Sequence, residues 1–153
     1  MKKLLLFSLL CITLLVALTG CLSKTAITAD SFKSSMESMN YVVVDYTSQF
    51  DSEDVKKVYA GINPTGSFQI EFFELGTESL ARSSYLTNLE TMEKSKGSMS
   101  SSTSFTGTNY EKATQTSNNE YWLVSRVENT FIFVHSSDTN KDAINKVVDS
   151  LGY

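Results

Sequence analysis

Histidine, proline and cysteine are scarce in this 153-residue sequence, at one, one and two copies, and each scarcity narrows what the chain can do. Structural zinc needs four Cys or His ligands, and catalytic zinc draws on two or three histidines. A single imidazole, His135, cannot supply either set. A Ser-His-Asp or Cys-His site would have to use that same His135 as its base. Lying near the end of a predicted strand with no constellation around it, His135 reads instead as a surface residue. The seven glycines form no G-x-S-x-G, G-x-x-x-x-G-K-S/T or G-x-G-x-x-G pattern. Neither a nucleophile elbow nor a phosphate-cradling loop is therefore expected.

What is present begins at the N-terminus. Lys2 and Lys3 form a basic start, Leu4 to Leu18 is an apolar run broken only by Ser8 and Thr13, and the small residues Thr19 and Gly20 precede Cys21. This is the order of a secretory signal. A membrane-spanning helix needs about 20 apolar residues, and this run has 15, so it reads as a cleaved segment. The stretch Leu18-Thr19-Gly20-Cys21 resembles the lipobox of bacterial lipoproteins. The resemblance implies that the Cys21 thiol receives diacylglycerol and that cleavage makes Cys21 the first residue. The expected organisation is a signal peptide over 1–20, a lipidated tether over 21–29 and one domain over 30–153. The expected location is the extracytoplasmic face of a cell membrane. Leu22 follows the cysteine where Asp would retain a lipoprotein in the inner membrane of a two-membrane bacterium, by analogy with that family.

Removal of the signal changes the remaining chain. Cys11 leaves with it, so the mature protein keeps Cys21 alone and has no intramolecular disulfide. Hydrophobic packing must then hold the fold, and a domain near this length buries roughly two-thirds of its unfolded surface. Lys2 and Lys3 also leave, so 11 basic residues face 17 acidic ones, a net charge of −6. That balance argues against nucleic acid as a partner. It also argues against the domain lying on anionic lipid by electrostatic attraction, so it is expected to stand off the membrane.

The mature chain reads as one α+β domain. Thr28 or Asp30 caps a helix that places Phe32, Met36 and Met39 on one face. Tyr41 to Tyr46 reads as a buried strand. The acidic run 51–54 suggests the start of a short helix carrying Val55, Val58 and Ile62, and Asn63 to Gly66 is a turn. Ser67 to Leu75 alternates as a strand, with Phe68, Ile70 and Phe72 on one side. Thr77 caps a long helix to about Glu93 whose inner face is Ala81, Tyr85, Leu89 and Met92. The serine-rich Lys94 to Thr108 reads as an exposed loop entering a plain strand. Strands follow over Asn109 to Ser117, Tyr121 to Val127 and Thr130 to His135, with Asn118-Asn119 and Glu128-Asn129 as turns. A helix from near Asp138 ends at Gly152, a C-terminal glycine cap. The expected fold is an antiparallel sheet packed by helices. The element order resembles the PsbP-like α/β/α sandwich, and the whole chain resembles small lipoproteins of Gram-positive bacteria of unknown function. Neither resemblance implies an activity.

Several residue groups could carry chemistry. Asp138-Thr139-Asn140-Lys141-Asp142 matches the start of a calcium loop, with Asp149 at the twelfth position. Ala143 occupies the sixth position, where the sharp turn requires glycine. Helical periodicity also runs through the same stretch, so Asp138 or Thr139 is read as a helix cap and no metal site is assigned. Glu71 and Glu74 could form a glycosidase carboxylate pair, though a polar strand face is their ordinary setting. Tyr121 and Trp122 are adjacent on a strand, as are Phe72 and Phe73, so each pair faces both sides of a sheet. Helices on both faces would bury all four. An open face would leave Trp122 or Phe73 as an interaction surface for a sugar ring, a peptide or a protein. The expectation is a non-enzymatic binding or accessory module of the cell envelope, with no cofactor, whose partner is an envelope protein or a small ligand. The competing expectation is a small hydrolase acting on cell-wall or extracellular material through carboxylates or His135. A solute-capture role for a transporter is disfavoured, since such proteins resemble two lobes and are much longer.

Overall fold

Seven short segments, some of alternating apolar and polar side chains, pair into one sheet. The computed structural model describes residues 23–50 and 53–153. Cys21 and the signal segment lie outside those residues. The elements are α1 (Ala29–Ser38), β1 (Val42–Asp45), β2 (Val55–Ile62), β3 (Gln69–Leu75), α2 (Glu78–Lys94), β4 (Ser100–Thr106), β5 (Tyr110–Ser117), β6 (Glu120–Val127), β7 (Thr130–Ser137) and α3 (Lys141–Ser150). Strand order is β1-β2-β3-β7-β6-β5-β4, and every neighbouring pair is antiparallel. Two local meanders are thus joined by one non-local ladder, β3 to β7.

Helices cover both faces. On one, α1 and α3 share a core in which Phe32, Met36, Phe72, Tyr121, Leu123, Ile132, Ile144 and Val148 are buried. Phe32 stacks on Phe72 with ring centroids 4.7 Å apart. On the other, α2 lays Tyr85 and Met92 on Ala113 and Val124, and Ala81 beside Leu75 and Phe131. The protein is α+β with an antiparallel sheet packed by helices. Among the described residues no helix is long and apolar enough to cross a membrane.

Local signals explain most boundaries. Thr28 caps α1 by accepting the Ser31 amide, and Thr77 caps α2 by accepting that of Leu80. Asn118 and Asn119 both have positive φ, 54° and 63°, which a tight two-residue hairpin between twisted strands requires. Gly152, at φ 88°, ends α3.

Four expectations are corrected. Val55–Ile62 is strand β2, although Val55, Val58 and Ile62 have helical spacing. Residues 58–61 are all buried, and a continuous apolar run suits a strand packed on both faces. Gly61 belongs to that run because Met36 of α1 presses on it: a Cβ there would lie 2.2 Å from Met36 Cε. Strand β1 is an edge strand rather than a buried one, with Val42 63% exposed. The serine-rich stretch forms the opposite edge, β4, with every residue exposed. At the last helix neither Asp138 nor Thr139 is the cap. Ser137 accepts the Thr139 amide and starts a 3-10 turn over Asp138–Asn140 that leads into α3.

The described residues before α1 are held against the domain. The Lys24 amide donates to Asn109 Oδ1 (2.9 Å), Asn109 Nδ2 donates to the Lys24 carbonyl (2.6 Å), and the Ala26 and Ala29 amides donate to Glu128 and Glu74. Ala26 and Ile27 pack against the core.

Beneath the start of α2 lies a buried ion network. Arg126 Nε is 2.8 Å from Glu111 Oε2, and its Nη1 is 2.9 Å from Glu78 Oε1. Arg126 and Glu111 are 3% and 5% exposed. Removing one member of such a pair strands a buried charge, at a cost of about 3–5 kcal/mol. Arg126→Met is therefore expected to destabilise the domain by about 3–5 kcal/mol in urea unfolding, and adding Glu111→Leu to recover most of that loss. Equal destabilisation in the single and double variants would contradict the pairing.

Candidate functional site

Strand alternation sends Phe73 and Phe131 to the α2 face, where they are cross-strand partners on β3 and β7. Their rings stack in parallel with centroids 4.4 Å apart. Phe50, in the connection from β1 to β2, meets Phe73 edge-on at 5.7 Å. The inner face of α2 (Ala81, Tyr85, Met92) lies over β6 and β7, so the helix stops short of β2. The β1–β2 connection rises beyond it, and a trough is left between the two.

The trough comprises two adjoining cavities of about 390 Å³ each, which share Phe50 and Phe73. The first has an apolar floor of Val55, Phe73, Leu75 and Phe131, with Ser83, Ser84, Thr87 and Asn88 of α2 as its polar wall. The second is lined by Tyr46, Gln49, Val58, Gln69 and Glu71. An aromatic floor with a rim of hydroxyl, amide and carboxylate groups suits a ligand that is apolar on one face and polar at its edges. The nucleophilic side chains here are ordinary hydroxyls with no imidazole among the lining residues.

One wall is held by charge. Thr47–Gln49 is a 3-10 turn that begins two residues after Asp45, with Tyr46 between them. Lys57 Nζ lies 2.7 Å from Asp45 Oδ2, and the Thr47 amide donates to Asp45 Oδ1 at 2.9 Å. The Lys57 ammonium, followed by the Thr47 bonds, lowers the Asp45 carboxyl to about 2.

The residues singled out in the sequence meet different fates. Phe73 is half-buried and lines both cavities. Trp122 lies on the same face, half-buried, stacked on His135 at 3.6 Å and edge-on to Phe133 at 6.0 Å. It lines neither cavity of the trough. Its Nε1 has no hydrogen-bond partner, and neither has Oε1 of Gln115, its cross-strand neighbour. His135 Nε2 is 3.2 Å from Glu120 Oε2 at the strand end, as a surface residue would be. Glu71 accepts from Gln69 Nε2 on the α2 face, whereas Glu74 accepts the first amide of α1 on the other. Side chains three apart on a strand point to opposite faces, so these carboxylates share no cleft. Asp138, Asn140 and Asp142 lie in the 3-10 turn and α3, not in an ion-wrapping loop. Among the described residues, no group of three or more His, Cys, Asp or Glu side chains is placed to hold a metal.

Phe50 and Phe131 are the site residues that the sequence did not single out. A further recess between α1 and α3, about 450 Å³, is lined by Met39, Tyr41, Ala143, Lys146, Val147 and Ser150. It is more apolar, but it gathers few polar groups.

No family model matches this chain, and no curated protein matches it. Among solved structures it is similar to a GTP binding regulator from Thermotoga maritima, with 14% identity, a TM-score of 0.44, and 79% of this chain and 84% of that one covered. A likeness at that level assigns nothing to the present chain.

The Asp45 carboxylate has a folded pKa below its unfolded value of about 3.9, so its contribution to the turn is full above that pH and fades as pH falls towards about 2. An NMR titration is expected to show an Asp45 midpoint near 2 with the Thr47 amide shifting in parallel. A midpoint at the ordinary aspartate value would show that Asp45 does not hold the wall.

Proposed function

We propose that this protein is a lipid-anchored, extracytoplasmic module of the bacterial cell envelope that binds a ligand rather than transforming one. The trough over Phe50, Phe73 and Phe131 carries the binding half of this reading. It presents aromatic surface between polar walls, the composition that small-ligand sites share. The anchoring half is supported by the Lys2-Lys3 start, the 15-residue apolar run and the lipobox ending in Cys21. Against the hydrolase reading stand the opposite faces of Glu71 and Glu74 and the commitment of His135 to Trp122 and Glu120.

The ligand class follows from the lining. Rings and aliphatic side chains form the floor, while Ser83, Ser84, Thr87, Asn88, Gln49 and Gln69 offer hydrogen bonds at the edges. Sugar rings and short peptides with an aromatic side chain both present such a combination. Thermal unfolding of the purified domain with soluble peptidoglycan fragments and aromatic-rich peptides tests the reading. A ligand at 100 times its Kd stabilises by about 2.7 kcal/mol, so at least one probe should raise the Tm. Phe50 is 41% exposed, so Phe50→Ser is expected to leave the fold intact and abolish that rise. If no probe raises the Tm, or if the rise survives in Phe50→Ser, the trough is not the binding site.

A further inference from the structure

The end of the sheet from which the N-terminal segment departs differs from the rest of the surface. Three features converge there. First, the segment is clamped: reciprocal bonds between the Lys24 backbone and the Asn109 side chain fix it to the β4–β5 turn, and Glu128 takes the Ala26 amide. Second, Lys24 Nζ sits 4.9 Å from the centroid of the Tyr110 ring, and that ring stacks on Phe105 of β4 at 5.3 Å. Third, Phe105 is 49% exposed, the one large apolar side chain on a strand otherwise made of Ser and Thr. Tyr110 is packed tightly over Gly107, where a Cβ would lie 2.1 Å from its Cε1, so the turn holds the ring pair in place.

Chain geometry connects this corner to Cys21. Consecutive Cα atoms are 3.8 Å apart, so Cys21 can lie no more than about 11 Å from Lys24. A lipid on Cys21 would bring the bilayer surface to within that distance of the clamp. A tether fastened this close would keep that end of the domain near the bilayer.

We propose that the domain is seated end-on against the lipid surface, with Phe105 inserted at the headgroup boundary and Lys24 beside it at the level of the phosphates. This rests on the reading of Cys21 as the lipidated residue. Aromatic side chains favour the membrane interface, and a lysine beside them keeps its apolar stem in contact and its ammonium in the headgroups. With a net charge of −6 on the mature chain, general attraction to anionic lipid does not hold the domain down. The anchor supplies the proximity and Phe105 sets the orientation. The trough, on the α2 face, then opens sideways above the membrane.

The strand β4 contains its own control. Met99, just before β4, is 88% exposed at the opposite end of the strand. At about 3.4 Å per residue it lies about 20 Å from Phe105. The lipidated protein, as wild type, F105W and M99W, would be reconstituted in phosphatidylcholine vesicles whose acyl chains carry bromine, a quencher of indole fluorescence. The signal of Trp122, common to all three, is subtracted. The F105W variant is expected to show a blue-shifted emission that brominated lipid quenches, and M99W neither change. No quenching of F105W on vesicles that carry the lipidated protein would overturn the proposal, as would equal quenching of F105W and M99W. A blue shift in F105W that follows protein concentration and ignores brominated lipid would instead mean pairing of β4 with a second copy, which also overturns it. The mass of the N-terminal peptide from the same sample separates the two layers of argument. An unmodified Cys21 refutes the anchoring reading itself, whereas a lipidated Cys21 with an unquenched F105W refutes only the seating.

Discussion

The ladder between β3 and β7 is the junction on which the rest of the molecule depends. Each half of the sheet is a meander of sequence neighbours, with β1 to β3 on one side and β4 to β7 on the other. Only the pairing of Glu71–Glu74 with Phe133–Thr130 makes one sheet of them. Aromatic packing reinforces it on both faces. Phe72 stacks on Phe32 of α1 on one side, and Phe73 stacks on Phe131 on the other. Stacked aromatic pairs contribute about 0.5–1.5 kcal/mol beyond the area they bury. The same Phe73–Phe131 pair then forms the trough floor. Fold and candidate site are thus built on one contact.

This arrangement explains why the trough lies where it does. A helix of 17 residues cannot cover a seven-stranded sheet, and α2 sits over β6 and β7. It is clamped there by the buried Arg126 network at its start and by Gln115, whose Nε2 donates to the Met92 carbonyl near its end. The part of the face left open is that of β2 and the portion of β3 beside it, which the β1–β2 connection then walls in. A rigid floor with one helical wall and one turn wall lets side-chain chemistry vary at the rim without disturbing the core.

Much of the architecture was legible because local signals agreed with the global fold. Strand β3 alternates, β6 and β7 are rich in aromatic and β-branched residues, α1 and α2 have capping threonines, and the hairpin at Asn118-Asn119 carries the residue types that positive φ favours. Legibility failed where tertiary contacts decide. Val55 to Ile62 has a helical spacing of apolar residues, and only pairing with β1 and β3 makes it a strand. The edge strand β4 has no alternation to read, since all seven of its residues are exposed. At the site, Phe73 could be nominated from its adjacency to Phe72. Phe50 and Phe131 could not, because they meet it from a connection and from a strand nearly sixty residues away in sequence. Trp122 was nominated by the same reasoning, yet His135 and Phe133 pack against its ring.

The central claim is that the trough holds a ligand while the protein sits on the membrane. The most direct measurement places a photo-reactive phenylalanine analogue at position 50 in the full-length protein in living cells, with the same analogue at position 86 as the comparison. Leu86 is 50% exposed on α2 and lines neither cavity of the trough. Irradiation followed by mass spectrometry is expected to yield a discrete adduct at position 50 and none of that mass at position 86. Identical adducts at both positions, or none at position 50, would contradict the account.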